Sequence, residues 1–102
     1  GLWAQRRLQE AGGGLRAAGD SVTLSCHMSK SAFEGYSIRW YRQAPGGRLE
    51  WVSLINYSGS IKKYGAAVEG RAASSWESHQ SQSSLFLWGL HPSDSACYFC
   101  AI

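Results

Sequence analysis

The side chains with chemistry to offer are three cysteines, three histidines and a scatter of serines and carboxylates in a chain of 102 residues. Cys97-Tyr98-Phe99-Cys100 has the C-x-x-C spacing of a redox pair or half a metal site. On a strand, however, residues three apart point to opposite faces, so these two thiols cannot readily close on each other or share an ion. His27, His79 and His91 are dispersed and lack a metal-ligand spacing. His91, Asp94 and a nearby serine make a hydrolytic set on paper, yet they crowd into one turn with nothing to hold an oxyanion. No catalytic residue, metal or cofactor is expected, and the chain is not read as an enzyme. What remains is disulfide chemistry, with three cysteines allowing one bridge and one spare thiol.

The elements that must position such a bridge are strands. Cys26 and Cys100 lie far apart, Trp40 stands between them, and Tyr98 precedes the second cysteine by two residues. That outline is a β-sandwich with a pinned centre: Cys26 and Cys100 join the sheets, Trp40 packs on the sulfurs, and Tyr98 turns its hydroxyl back to nearby backbone. Cys97 is then the spare thiol, on the same strand face as Phe99. A bridge closing so long a loop stabilises by about 4 kcal/mol in the chain-entropy model and suits an oxidising compartment.

Composition agrees with a single small globular domain. Apolar residues make up 44% and charged residues 17%, which argues against disorder. The aromatic share, 13%, favours strands or a binding surface. A net charge of +3 from scattered Lys and Arg does not point to nucleic acid. No apolar run approaches the ~20 residues that span a bilayer, so no direct membrane contact is expected from this segment.

Along the chain, Gly1-Leu2-Trp3-Ala4 reads as the end of a signal peptide or, equally, as a plain disordered terminus; the first reading leaves 5–102 as the domain. Leu8 to Leu15 reads as two edge-strand pieces around the glycine hinge Gly12-Gly13-Gly14. Val22, Leu24, Cys26 and Met28 alternate with Ser21, Thr23, Ser25 and His27, the clearest strand in the sequence. In the next, Ile38 and Trp40 face inward, with Arg39, Tyr41 and Gln43 opposite. Leu49-Glu50-Trp51-Val52-Ser53-Leu54-Ile55 is apolar on both faces and is expected to cover something outside its own core, with Leu49 and Trp51 as the outward pair. Asn56-Tyr57-Ser58-Gly59-Ser60 is a polar turn that also matches the N-glycosylation pattern at Asn56. Ser74, Trp76 and Ser83 fall at inward positions in a polar stretch, before Leu85, Leu87 and Leu90 restore an apolar face. The fold class is all-β.

These segments together resemble an immunoglobulin variable domain of the heavy-chain type, from about Leu8 to Ile102. The resemblance is carried by Leu24-Ser25-Cys26, Trp40-Tyr41-Arg42-Gln43-Ala44-Pro45-Gly46, Leu49-Glu50-Trp51-Val52-Ser53 and Asp94-Ser95-Ala96-Cys97-Tyr98-Phe99-Cys100-Ala101, in register with the glycine-rich start. Tyr64 to Arg71 looks like avian heavy-chain segments. The resemblance implies a V-type Greek-key sandwich lacking the final strand that a joining segment supplies, with the third binding loop starting after Ala101. The first loop would span about Ser31–Arg39 and the second about Leu54–Lys63.

The same resemblance assigns roles. Arg71 and Asp94 match an ion pair at the base of the sandwich. Gln43, Leu49, Trp51 and Phe99, with Tyr41, match the face that packs on a light chain or a second receptor-chain variable domain. Tyr36, Arg39, Asn56, Tyr57, Ser58, Ser60 and Lys62 fall where antigen is bound, and Tyr and Ser are the residue types that paratopes favour. Two positions depart from the family pattern: Arg48 stands where glycine is usual, and Tyr41 replaces a smaller aliphatic residue. The function implied is an extracellular, antigen-binding receptor domain, secreted or on the plasma membrane. The ending and the serine-rich stretch also resemble T-cell receptor chains, and a fixed-ligand adhesion or innate receptor domain is the reading of another class.

Overall fold

A computed structural model describes residues 3–7, 18–27, 35–77, 79 and 81–102. Eight strands follow one another: β1 (Trp3–Arg7), β2 (Val22–His27), β3 (Ser37–Gln43), β4 (Leu49–Asn56), β5 (Lys62–Tyr64), β6 (Ala72–Glu77), β7 (Gln82–Leu87) and β8 (Cys97–Ala101). A 3-10 turn, Pro92–Asp94, leads into β8. All the pairings are antiparallel, in a five-stranded sheet ordered β1-β8-β3-β4-β5 and a three-stranded sheet ordered β2-β7-β6. The all-β sandwich expected from the alternation is the architecture found. The edge segment read at Leu8–Leu15, and Met28 at the end of the clearest strand, lie outside the described residues.

Period-two patterning decides which side chains meet. Val22, Leu24 and Cys26 of β2 are buried, while Thr23 and His27 are exposed. On β7, Ser83, Leu85 and Leu87 are buried. The register aligns Leu24 with Leu85 and Ser74, and Cys26 with Ser83 and Trp76, so leucines and serines share the inner face of the small sheet. Two hydroxyls inside a core need partners, since an unbonded buried hydroxyl costs about 1–3 kcal/mol. Both have them. The Ser83 hydroxyl donates to the Ser75 carbonyl at 3.2 Å, and the Ser74 hydroxyl lies 3.2 Å from that of Tyr64. The polar stretch is thereby compatible with a packed core.

The larger sheet contributes Ile38 and Trp40 from β3, Val52 and Ile55 from β4, and Tyr98 and Cys100 from β8, all buried. Cys26 and Cys100 are joined by a disulfide between the two sheets, across a separation of 74 residues and a Cα–Cα distance of 6.6 Å. Cys97 is the free thiol and is half-buried. Trp40 is fully buried and neighbours Cys100 in register.

One irregularity shapes the outer face. Between Trp40 and Tyr41 the register with β4 slips, so Trp40 opposes Ser53 while Tyr41 opposes Trp51. A bulge of this kind puts one extra residue into a strand and changes its parity. Val52 and Ser53 are consequently both buried, and Trp51 and Leu49 are turned out. Further on, Gly65 passes so close to β4 that an added Cβ would meet the Trp51 carbonyl oxygen at 2.6 Å, and its N–H donates to the Val52 carbonyl at 2.8 Å. That contact starts the turn that delivers Arg71.

β1 takes in Trp3 and Ala4 of the leader-like stretch and pairs along the whole of β8, from Trp3 opposite Ala101 to Arg7 opposite Cys97. It occupies the β8 edge that faces away from β3.

Candidate binding surfaces

β3 runs from one functional end of the molecule to the other. Ser37, at its start, opposes Asn56 at the β4–β5 hairpin, and Arg42, near its end, reaches the 3-10 turn that holds Asp94.

At the base, Asp94 is 1% exposed. Its two carboxylate oxygens take four hydrogen bonds. Arg71 grips both, Nη1 to Oδ2 at 2.9 Å and Nη2 to Oδ1 at 3.1 Å. Arg42 Nη1 donates to Oδ1 at 2.8 Å, and the His91 N–H donates to Oδ2 at 2.8 Å. Burial, the largest single influence, pushes the Asp94 carboxyl up; the bonds from Arg71, His91 and Arg42 together outweigh it and hold the group at about 2. Arg42 is itself buried and was not singled out by the sequence reading, although it shares the parity of Ile38 and Trp40. Desolvation works to lower its pKa, but bonds to Glu50, Asp94 and Tyr98 win and raise it. The Tyr98 hydroxyl donates to the Asp94 carbonyl at 2.6 Å, which ties β8 back to the turn before it. Burial pushes the Tyr98 phenol up. Two arginines and two carboxylates are thus balanced in charge.

The second region is the outward face of the larger sheet. The register lines up Trp51, Tyr41 and Phe99 across β4, β3 and β8, and beside them Leu49, Gln43 and Cys97. Leu49 is 52% exposed and Trp51 37%, while Tyr41 and Phe99 are half-buried. Gln43 is exposed and donates through Nε2 to the Gly47 carbonyl at 3.0 Å. The first row is aromatic and continuous over three strands, and in the second Gln43 stands between Leu49 and Cys97. A cleft of about 400 Å³ opens at the lower edge of this face beside Arg48, Glu50 and Ser93.

The third is the hairpin end. Tyr36 is 63% exposed, and Arg39 and Lys62 are exposed on β3 and β5. Tyr57 is half-buried against the core. Tyr64 is a brace and not a free contact group: its hydroxyl accepts the Ser74 N–H at 2.8 Å across the two sheets. Asn56, Ser58 and Ser60 bond one another, with Asn56 Nδ2 3.1 Å from Ser60 Oγ and the two serine hydroxyls 2.8 Å apart.

A disulfide-pinned antiparallel sandwich with this aromatic face invites comparison with known families, and the model of the immunoglobulin V-set domain matches residues 15–102. The chain belongs to that family. Domains of the V-set are generally non-enzymatic, typically extracellular, and bind protein partners or pair with other domains. In this V-set domain the match begins after β1, so the strand on the β8 edge precedes the family's own stretch. No three-way group of His, Cys, Asp or Glu suited to a metal occurs among the described residues, nor does any helix long and apolar enough to cross a membrane.

Proposed function

We propose that this V-set domain is the antigen-binding variable domain of an adaptive immune receptor, of the immunoglobulin heavy-chain type. It pairs with a light chain or second receptor-chain variable domain through Tyr41, Gln43, Leu49, Trp51 and Phe99. Antigen is met by Tyr36, Arg39, Asn56, Tyr57, Ser58, Ser60 and Lys62 at the hairpin end. The observation that carries the reading is the exposed pair Leu49 and Trp51 in register with Tyr41 and Phe99, an apolar face of the kind that marks a partner surface. On this reading residues 1–4 are the remainder of a leader, 5–102 are the domain, and the receptor is secreted or displayed at the plasma membrane. Removing residues 1–4 leaves Gln5–Arg7 of β1 on β8.

The test is association. A domain completed with a joining segment's strand is mixed with light-chain variable domain and followed by sedimentation. The expected result is a one-to-one complex, which Trp51→Ala weakens by roughly 30-fold, as for a buried aromatic anchor. A completed domain that stays monomeric at high concentration overturns the pairing.

A further inference from the structure

One motif of the hairpin carries a second chemistry. Asn56-Tyr57-Ser58 has the acceptor pattern for N-linked glycosylation, and the structure places it at the mouth of the β4–β5 hairpin, half-exposed. Two facts about Asn56 bear on whether a glycan fits there.

First, its side chain closes the turn. Oδ1 accepts the Ile61 N–H at 2.9 Å, and Nδ2 lies 3.1 Å from Ser60 Oγ. The backbone adds Asn56 N–H to the Ile61 carbonyl at 3.1 Å, and the Gly59 N–H to the Asn56 carbonyl at 3.0 Å, with Gly59 in the left-handed region at φ 79°. Second, a primary amide nitrogen carries two hydrogens, and the turn uses one of them. An N-glycan replaces only one. The carbonyl oxygen stays an acceptor for the Ile61 N–H, and one N–H remains on the nitrogen.

We propose that Asn56 is an N-glycan acceptor whose turn-closing bond from the Ile61 N–H survives the modification. The co-reactant is an oligosaccharide carried on a lipid diphosphate in the secretory lumen. The Asn56 Nδ2–C1 bond to the first sugar forms as the C1–O bond to the diphosphate breaks. The diphosphate leaves with the bonding electron pair, and the amide proton goes to the transferring enzyme's base. Ser58 supplies the hydroxyl that the acceptor pattern requires, and in the folded domain that hydroxyl passes to Ser60 at 2.8 Å. On this proposal Asn56 leaves the set of antigen contacts and becomes a turn-closing and carrier residue. Where the receptor reading holds, the glycan stands next to Ser37 and Tyr57 and shares the hairpin end with the antigen contacts.

The test secretes the full 102-residue chain from mammalian cells behind a supplied signal peptide, with Ser58→Ala, Ser58→Thr and Asn56→Gln beside it. Intact mass is read on lumenal as well as secreted material, so that a folding failure does not pass for an unmodified site. The expected result is a glycoform of the natural chain that peptide-N-glycosidase converts to Asp at position 56. Occupancy should rise in Ser58→Thr and vanish in Ser58→Ala and Asn56→Gln. The Ile61 amide should keep its exchange protection in the glycoform and in Ser58→Ala, and lose it at least tenfold in Asn56→Gln. An unmodified lumenal chain in both the natural sequence and Ser58→Thr overturns the acceptor assignment. Loss of Ile61 protection in the glycoform alone overturns the claim that the turn tolerates it. Neither result depends on whether the domain pairs with a light chain.

Discussion

The two ends of β3 both carry polar clusters, and they are held by opposite means. At the base, an aspartate 1% exposed takes four hydrogen bonds, three of them from two arginines. At the hairpin, Asn56, Ser58 and Ser60 exchange neutral hydrogen bonds at the surface. At the base Asp94 and Arg42 are charges that water scarcely reaches, so each needs its partners to offset its desolvation. The hairpin is made of dipoles that water can replace, so each bond is worth little and the segment is free to change. A sandwich that presents variable contacts needs that asymmetry: a fixed end that locates β8 and a tolerant end beside it.

The comparison is broken most directly at Asp94. Replacing it with alanine leaves Arg42 and Arg71 near each other without their common carboxylate. Removing one member of such a buried pair costs about 3–5 kcal/mol. Chemical denaturation of Asp94→Ala against the natural chain should read a loss of that size. A loss below about 1 kcal/mol would show that the base is no more critical than a surface ion pair.

Acid gives a second reading of the same site. The Asp94 carboxyl is held at about 2 in the folded chain against an ordinary value of 3.8. A group whose folded value is depressed stabilises above its unfolded value and loses that contribution as pH falls through the folded one. Asp94 therefore contributes about 2 kcal/mol at neutral pH, lost between roughly pH 4 and pH 2. Urea midpoints taken down this range should fall more steeply for the natural chain than for Asp94→Ala. Parallel curves would move the acid sensitivity to other carboxylates.

The fold was legible because its signals are local or one-dimensional. Alternation along Ser21–His27 and at Ile38 and Trp40 predicts the buried faces found, and the disulfide reading follows from cysteines flanking Trp40. Arg42 was missed for a physical reason. Hydrophobic patterning treats a charged residue as outward, and only the carboxylates that converge on it, eight and 52 positions away, make its burial affordable. The outward turn of Leu49 and Trp51 was readable from a strand apolar on both faces, but the bulge that buries Val52 and Ser53 side by side leaves no mark in composition. Nor did loop composition separate Tyr64, which braces the sheets, from Tyr36, which is free in solvent to 63%. β1 on the β8 edge had no forecast at all, since Trp-Ala-Gln-Arg-Arg lacks any apolar alternation and is held by backbone pairing.

The smallest effect belongs to the hairpin, and its smallness is the sharper test. Asn56→Ala removes the acceptor for the Ile61 N–H and the partner of Ser60, yet both groups lie where water can take over. A hydrogen bond replaced by water is worth about 0.5–1.5 kcal/mol, so the variant should lose about 1 kcal/mol, a small share of the loss expected at Asp94. The loss should also be insensitive to pH from 7 to 2, because no charge is removed. Combined with Asp94→Ala it should add without coupling, since the two sites stand at opposite ends of β3 and share no partner. A measured coupling above about 0.5 kcal/mol would mean that the base and the hairpin communicate through the strand, and that the tolerant end is less independent than its neutral bonds suggest.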